Sequence, residues 1–178
     1  LRVVKEAGFP AMVTLSFRDK GTREGTSPAE CARVLAGEGA DIVGANCGLD
    51  PDRMLPVVEA MRRAVGIPVA AQPIAYRTPP GVSHFTTLPQ FPLDLDAVQL
   101  TRGEMAAYAL RAQEIGLGYI GACCGTVAHH IRAMAEALGR TVPASAKSPD
   151  LSKHPIVQQR RTLDELAGRK RPGAGAGR

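Results

Sequence analysis

The sequence predicts an α/β fold built on a parallel sheet, and three observations carry that expectation. Short apolar runs alternate four times with runs of helical periodicity, prolines and capping residues open the helical runs, and glycines punctuate the returns. Regular alternation of this kind implies right-handed crossovers between parallel strands. Four such units make half of an eight-unit (β/α)8 barrel, the fold class expected here, followed by a C-terminal tail.

Residues 1–7 read as the end of a helix stopped at Gly8, and Pro10 opens a strand over residues 11–17. After a loop, Ser27-Pro28-Ala29-Glu30 has the form of a capping box with proline in the first helical position, predicting a helix to about Gly37. The second unit pairs a strand over residues 41–47 with a helix opening at Asp50-Pro51, where Met54, Val58, Met61 and Val65 recur at helical spacing. Pro56 either kinks that helix or marks its true first turn.

A third strand over residues 68–75 leads into a long proline-rich loop, residues 76–100; loops of that length in compact domains are often functional. Thr101-Arg102-Gly103-Glu104 is a second capping box, and Met105, Tyr108, Ala112 and Ile115 give its helix a buried stripe ending at Gly116. The fourth strand runs over residues 118–123, and a last helix carries Ile131, Met134, Ala135 and Leu138 on one face before Gly139.

Beyond that point the pattern changes. The expected division is a barrel segment over residues 1–142, an arm over 143–168 suited to packing on a partner subunit in a homo-oligomer, and a low-complexity, disordered tail over 169–178. The start without Met, in what reads as mid-helix, suggests the C-terminal part of something longer.

The net charge of +5 is segregated: residues 140–178 hold nine Lys/Arg against three Asp/Glu, leaving the rest near neutral. A basic tail without interleaved aromatics is weak evidence for nucleic acid, and no apolar run approaches a membrane span, so neither partner is expected. The absence of a leader-like start suggests the cytoplasm, where cysteines stay reduced, metal-bound or buried.

Three of the four cysteines close strand-like runs, in Gly44-Ala45-Asn46-Cys47 and Gly121-Ala122-Cys123-Cys124-Gly125. Two readings fit them: small buried side chains, or a three-thiolate zinc site with its fourth position open. Consecutive strand residues point to opposite faces, so Cys123 and Cys124 reach one metal only if the strand breaks there, a turn that Gly125 makes feasible. Cys31, beside Val34 and Leu35, reads as core. His129 and His130 read as ligands, a base, a helix cap or solvent-facing residues, and Asn46 as either a hydrogen-bond donor steering the Cys47 thiolate or an exposed turn residue.

These strings carry a resemblance. Gly44 to Pro51, Gln72-Pro73-Ile74-Ala75-Tyr76-Arg77-Thr78-Pro79, Leu88-Pro89-Gln90-Phe91-Pro92 and Tyr119 to Gly125 resemble the C-terminal half of the homocysteine S-methyltransferase family, most closely its betaine-using members, from about Pro10 to Pro143-Ala144-Ser145. The resemblance implies a (β/α)8 barrel of which this chain supplies about the last four units, with Cys47, Cys123 and Cys124 as Zn2+ ligands. It also implies methyl transfer to the homocysteine thiol to form methionine, with betaine the favoured donor.

S-methylmethionine and methyltetrahydrofolate through a corrinoid protein are alternative donors, and a non-catalytic zinc-binding half barrel is the alternative class. Ala122 departs from the family's usual glycine. The first four barrel units, which in the family hold the amino-acid head of homocysteine and much of the donor pocket, have no counterpart in this sequence. The segment alone is therefore expected to be inactive.

Overall fold

Four strands, β1 (Met12–Leu15), β2 (Ile42–Asn46), β3 (Val69–Gln72) and β4 (Tyr119–Ile120), form a parallel sheet in the order β1-β2-β3-β4. The computed structural model describes residues 1–18, 21–82 and 84–140. Five helices accompany the strands: α1 (Arg2–Glu6), α2 (Pro28–Gly37), α3 (Pro51–Ala64), α4 (Arg102–Ile115) and α5 (Ala128–Ala137). Each crossover adds its strand beside the previous one with no reversal of order, as in a barrel wall and unlike a doubly wound sheet. Helix α2 packs on α3, α3 on α4 and α4 on α5, so the helices follow one another as a layer.

The core lies between that layer and the sheet. Val43 and Ala45 of β2 and Val69 and Ala71 of β3 meet Met54, Val58 and Met61 of α3 and Met105, Tyr108 and Ala112 of α4. Alternation along a strand puts Gly44 and Ala70 on the opposite face. They are so close that a Cβ on Gly44 would lie 2.7 Å from that of Ala70.

The helices begin where the sequence indicates. The Ser27 hydroxyl accepts from the Glu30 N–H at 3.3 Å, and Thr101 and Glu104 form a complete reciprocal capping box. Burial works against ionising Glu104, but the Thr101 hydroxyl and N–H and the Arg77 guanidinium outweigh it and hold its carboxyl below the usual range. Helix α3 starts at Pro51 and runs through Pro56, so Pro56 is an interior residue. It leaves the Asp52 carbonyl without its usual donor four residues on.

All four strands are shorter than expected, β3 and β4 by the most. Strand β3 ends at Gln72 because Pro73 has no N–H to continue the ladder, and β4 ends at Ile120, before the cysteines. The long loop is structured: it holds 3-10 turns at Phe85–Thr87 and Leu95–Val98, and its ends are joined by pairing of Tyr76 with Gln99. The arm and tail expected over residues 143–168 and 169–178 lie outside the described residues.

Asp50 ties this loop to α3. One carboxylate oxygen accepts from the Arg53 N–H at 3.1 Å as the helix N-cap, while the other accepts from the Thr78 N–H at 2.8 Å and its hydroxyl at 2.9 Å. Asp50→Ala is therefore expected to destabilise the fold by about 2 kcal/mol, combining a lost cap with an orphaned buried threonine. Urea denaturation checks this, and Thr78→Val, which keeps the cap, is expected to lose less.

Candidate metal centre

Cys47 lies one residue past β2, at the carboxyl edge of the sheet, and its backbone is in the left-handed region with φ of 58°. That conformation is uncommon for a residue with a Cβ, and here it turns the thiol out of the strand direction. The Cys47 N–H donates to the Gln72 carbonyl at 2.9 Å. Beyond β4, the Cys123 N–H donates to the Pro73 carbonyl at 2.7 Å, and the Cys124 carbonyl accepts from the Ala75 N–H at 2.8 Å. All three cysteines are thus held by one short stretch, residues 72–75.

The turn after Cys124 depends on Gly125. Its φ is 77°, and a Cβ there would lie 2.5 to 2.9 Å from ring atoms of Tyr76. Gln99 Nε2 donates to the Gly125 carbonyl at 2.7 Å, bringing the far end of the long loop onto the same turn. Behind the sheet edge, the buried Tyr108 hydroxyl donates to the Ala71 carbonyl at 2.9 Å and lies 3.2 Å from that of Gly121. Burial pushes its phenol well above the ordinary range, so it remains a donor.

These constraints bring three sulfurs together. Cys47 Sγ is 3.6 Å from Cys124 Sγ, Cys123 Sγ is 3.8 Å from Cys124 Sγ, and all three lie within 4.8 Å of one another. A tetrahedral Zn–S bond of ~2.3 Å implies sulfur–sulfur edges of about 3.8 Å, so the spacing fits a thiolate-bound metal with one position left for an outside ligand. All are free thiols. Burial, then hydrogen bonding to Cys123 and Cys124, pushes the Cys47 thiol up to about 12; burial likewise raises Cys124.

The other candidates separate from this cluster. Cys31 is buried in the core beside Ala32. His130 is also fully buried, with Nδ1 accepting from the Val127 N–H at 3.2 Å and Nε2 lying 2.8 Å from the Leu100 carbonyl. That pattern makes Nε2 the donor and leaves neither nitrogen a lone pair for a metal, so His130 is a cap. His129 is exposed.

The steering role considered for Asn46 is not seen among the described residues. The N–H that meets the Cys47 sulfur is that of Gly48, because Asn46 still belongs to β2, in register with Gln72. Tyr76, whose ring roofs Gly125, was marked in the sequence by its place at the carboxyl edge after the third strand and within the resembling string Gln72 to Pro79, with no role attached to it.

A profile of the family described as homocysteine S-methyltransferase matches residues 1–138. The chain belongs to the homocysteine S-methyltransferase family. Among curated relatives, betaine–homocysteine S-methyltransferase 1 of Danio rerio is 43% identical over 144 residues, covering 78% of this chain and 36% of the relative. The enzyme of the same name from Xenopus laevis is 40% identical with the same coverage. S-methylmethionine–homocysteine S-methyltransferase BHMT2 of Pongo abelii is 37% identical over 157 residues, covering 83% of the chain and 43% of the relative.

The chain of this family member thus spans little more than a third of the length of the first two relatives. The homocysteine methyltransferase MmuM from Escherichia coli shares its fold. The apo form matches with a TM-score of 0.53 at 17% identity, covering 76% of this chain and 41% of that one, and the metallated form with 0.52 at 18%, covering 75% and 38%. The (β/α)8 type is therefore the fold class of this homocysteine S-methyltransferase family member, with four consecutive β/α units present here.

A cation taken up by these thiols would bind with a defined pH dependence. Cys47 with a pKa near about 12 is protonated at neutral pH, so taking up a cation releases its proton and those of its neighbours. Metal affinity is expected to rise with pH from about 6 to about 8, with protons released on binding. Chelator competition and proton release measured in weak buffer check the sign; affinity that falls with pH contradicts it.

Proposed function

We propose that this chain contributes the metal-binding half of a methyltransferase site, with Zn2+ held by Cys47, Cys123 and Cys124, homocysteine as acceptor and betaine as the favoured donor. The single observation that carries the reading is the approach of three thiols, from two separate strand ends, to sulfur–sulfur spacings of 3.6 and 3.8 Å. Zn2+ in such a donor set supplies an open position for a fourth thiol and lowers its pKa, so that a nucleophilic thiolate is available at neutral pH.

The chain's own residues do the positioning. The carbonyls of Gln72 and Pro73 and the N–H of Ala75 fix the three cysteine backbones, and the Gly48 N–H donates to the Cys47 sulfur, favouring its ionised form. Tyr76 covers the Gly125 turn and stacks on Phe85 with ring centroids 5.5 Å apart. In the reaction, the homocysteine thiol gives up its proton and its sulfur attacks the donor methyl carbon. The carbon–nitrogen bond of betaine breaks, its electron pair returns to nitrogen, and the products are methionine and dimethylglycine.

The names of the relatives support homocysteine as acceptor, and betaine is the donor named for most of them. S-methylmethionine is the second reading, supported by the Pongo abelii relative that names it. Transfer of labelled methyl from each donor to homocysteine, assayed with the complete zinc-loaded protein, discriminates the two. Single Cys47→Ser, Cys123→Ser and Cys124→Ser variants are expected to lose most zinc and at least 100-fold in transfer, whereas Cys31→Ser keeps both within about 2-fold. Full zinc in Cys123→Ser, or transfer without zinc, overturns the assignment.

A further inference from the structure

Strand β4 ends at Ile120, yet hydrogen bonding between the two chains continues beyond it. The Gly121 N–H donates to the Ala71 carbonyl at 2.9 Å, and the Cys123 N–H to the Pro73 carbonyl at 2.7 Å. In a parallel ladder of that register the Gly121 carbonyl faces the backbone nitrogen of residue 73 and would accept from it. Residue 73 is proline, which has no N–H to give.

The Tyr108 hydroxyl stands in that place. It lies 2.9 Å from the Ala71 carbonyl and 3.2 Å from the Gly121 carbonyl, so its one proton is shared between the two chains. Among the described residues no backbone N–H donates to the Gly121 carbonyl. We infer that Tyr108 is a positioning residue for the metal centre: its hydroxyl replaces the ladder donor missing at Pro73 and holds the start of the turn that presents Cys123 and Cys124.

The next rungs show why that hold matters. Regular pairing would send the Ala75 N–H to the Cys123 carbonyl. Instead it donates to the Cys124 carbonyl at 2.8 Å, while the Cys123 carbonyl accepts from the Thr126 N–H at 3.1 Å. The pairing slips by one residue here, as at a bulge, and the slip lets adjacent thiols lie 3.8 Å apart instead of on opposite faces. The rung before the slip is the one that Pro73 leaves short of a donor. Tyr108 reaches it from a firm support, fully buried on α4 behind the Thr101 capping box.

The hold on the turn stands by itself, whereas its consequence for the metal rests on the proposed zinc site, and the test reads the two separately. Tyr108→Phe keeps the ring and removes the hydroxyl. In the metal-free complete protein, amide hydrogen exchange is expected to rise about 10-fold at Ala75, Cys123 and Thr126 relative to Val43 and Cys47, whose N–H groups bond to Pro68 and Gln72.

In the loaded protein the same substitution is expected to weaken zinc about 10-fold against a chelator and to shift the visible bands of Co2+ bound in its place. Pro73→Ala returns an N–H to the rung, and in that background Tyr108→Phe is expected to cost zinc affinity no more than about 3-fold. Exchange that rises equally at all five amides, or zinc affinity and Co2+ bands that match the parent, overturns the positioning role. So does a Tyr108→Phe chain that fails to fold even with Pro73→Ala, since the hydroxyl is then a requirement of the whole fold. A parent that takes up no zinc sinks the proposed function, and the exchange measurement still decides whether the hydroxyl holds the turn.

Discussion

The structure depends on a run of five residues, Ala71 to Ala75, that serves as a common backbone anchor. Its carbonyls and N–H groups accept from Cys47 and Cys123 and donate to Cys124, and its Ala71 carbonyl receives the buried Tyr108 hydroxyl. The Ile74 N–H donates to Leu49 and the Ala75 carbonyl accepts from Leu100, so the ends of the β2–α3 turn and the long loop are held there too. Pro73 is central because it cannot donate: it ends the ladder with β2 while its carbonyl remains free to receive Cys123. A thiol placed by a rotatable side chain alone would vary by more than an ångström, whereas thiols on three anchored backbones converge.

The long loop acts with this anchor. Asp50 and Arg53 at the start of α3 bind Thr78 and Val82, Arg77 reaches Glu104 at the start of α4, and Gln99 reaches the Gly125 turn. The loop is therefore fastened at helix N-termini and at the Gly125 turn. Its aromatic residues Tyr76, Phe85 and Phe91 pack on one another, with ring centroids 5.5 and 6.0 Å apart for the successive pairs. Proline-rich composition suits this role, since prolines reduce the freedom of the unfolded loop without needing hydrogen-bond donors.

Much of this was legible in the sequence. Helix starts at Ser27-Pro28, Asp50-Pro51 and Thr101 were set by local cap chemistry, which requires no tertiary contact. A break at the vicinal cysteines followed from strand alternation if both are to reach one metal, but the strand ends earlier, at Ile120, than the 118–123 read from the sequence. What could not be read was decided by partners distant in the chain. The buried cap made by His130 needs Leu100, and the donor to Cys47 is a backbone group rather than the Asn46 amide. Spacing along one chain carries no information about such pairs.

The protonation of the cluster explains why the arrangement is chemically selective. Two thiolates near 4 Å apart repel by about 4 kcal/mol at an effective dielectric of ~20, so three ionised sulfurs at these spacings cannot coexist without a cation. The raised thiol pKa values of Cys47 and Cys124 express the same constraint. A free thiol is a poor nucleophile and a poor target for oxidation, so the protonated cluster is inert, and a divalent cation would be needed to let all three sulfurs ionise together.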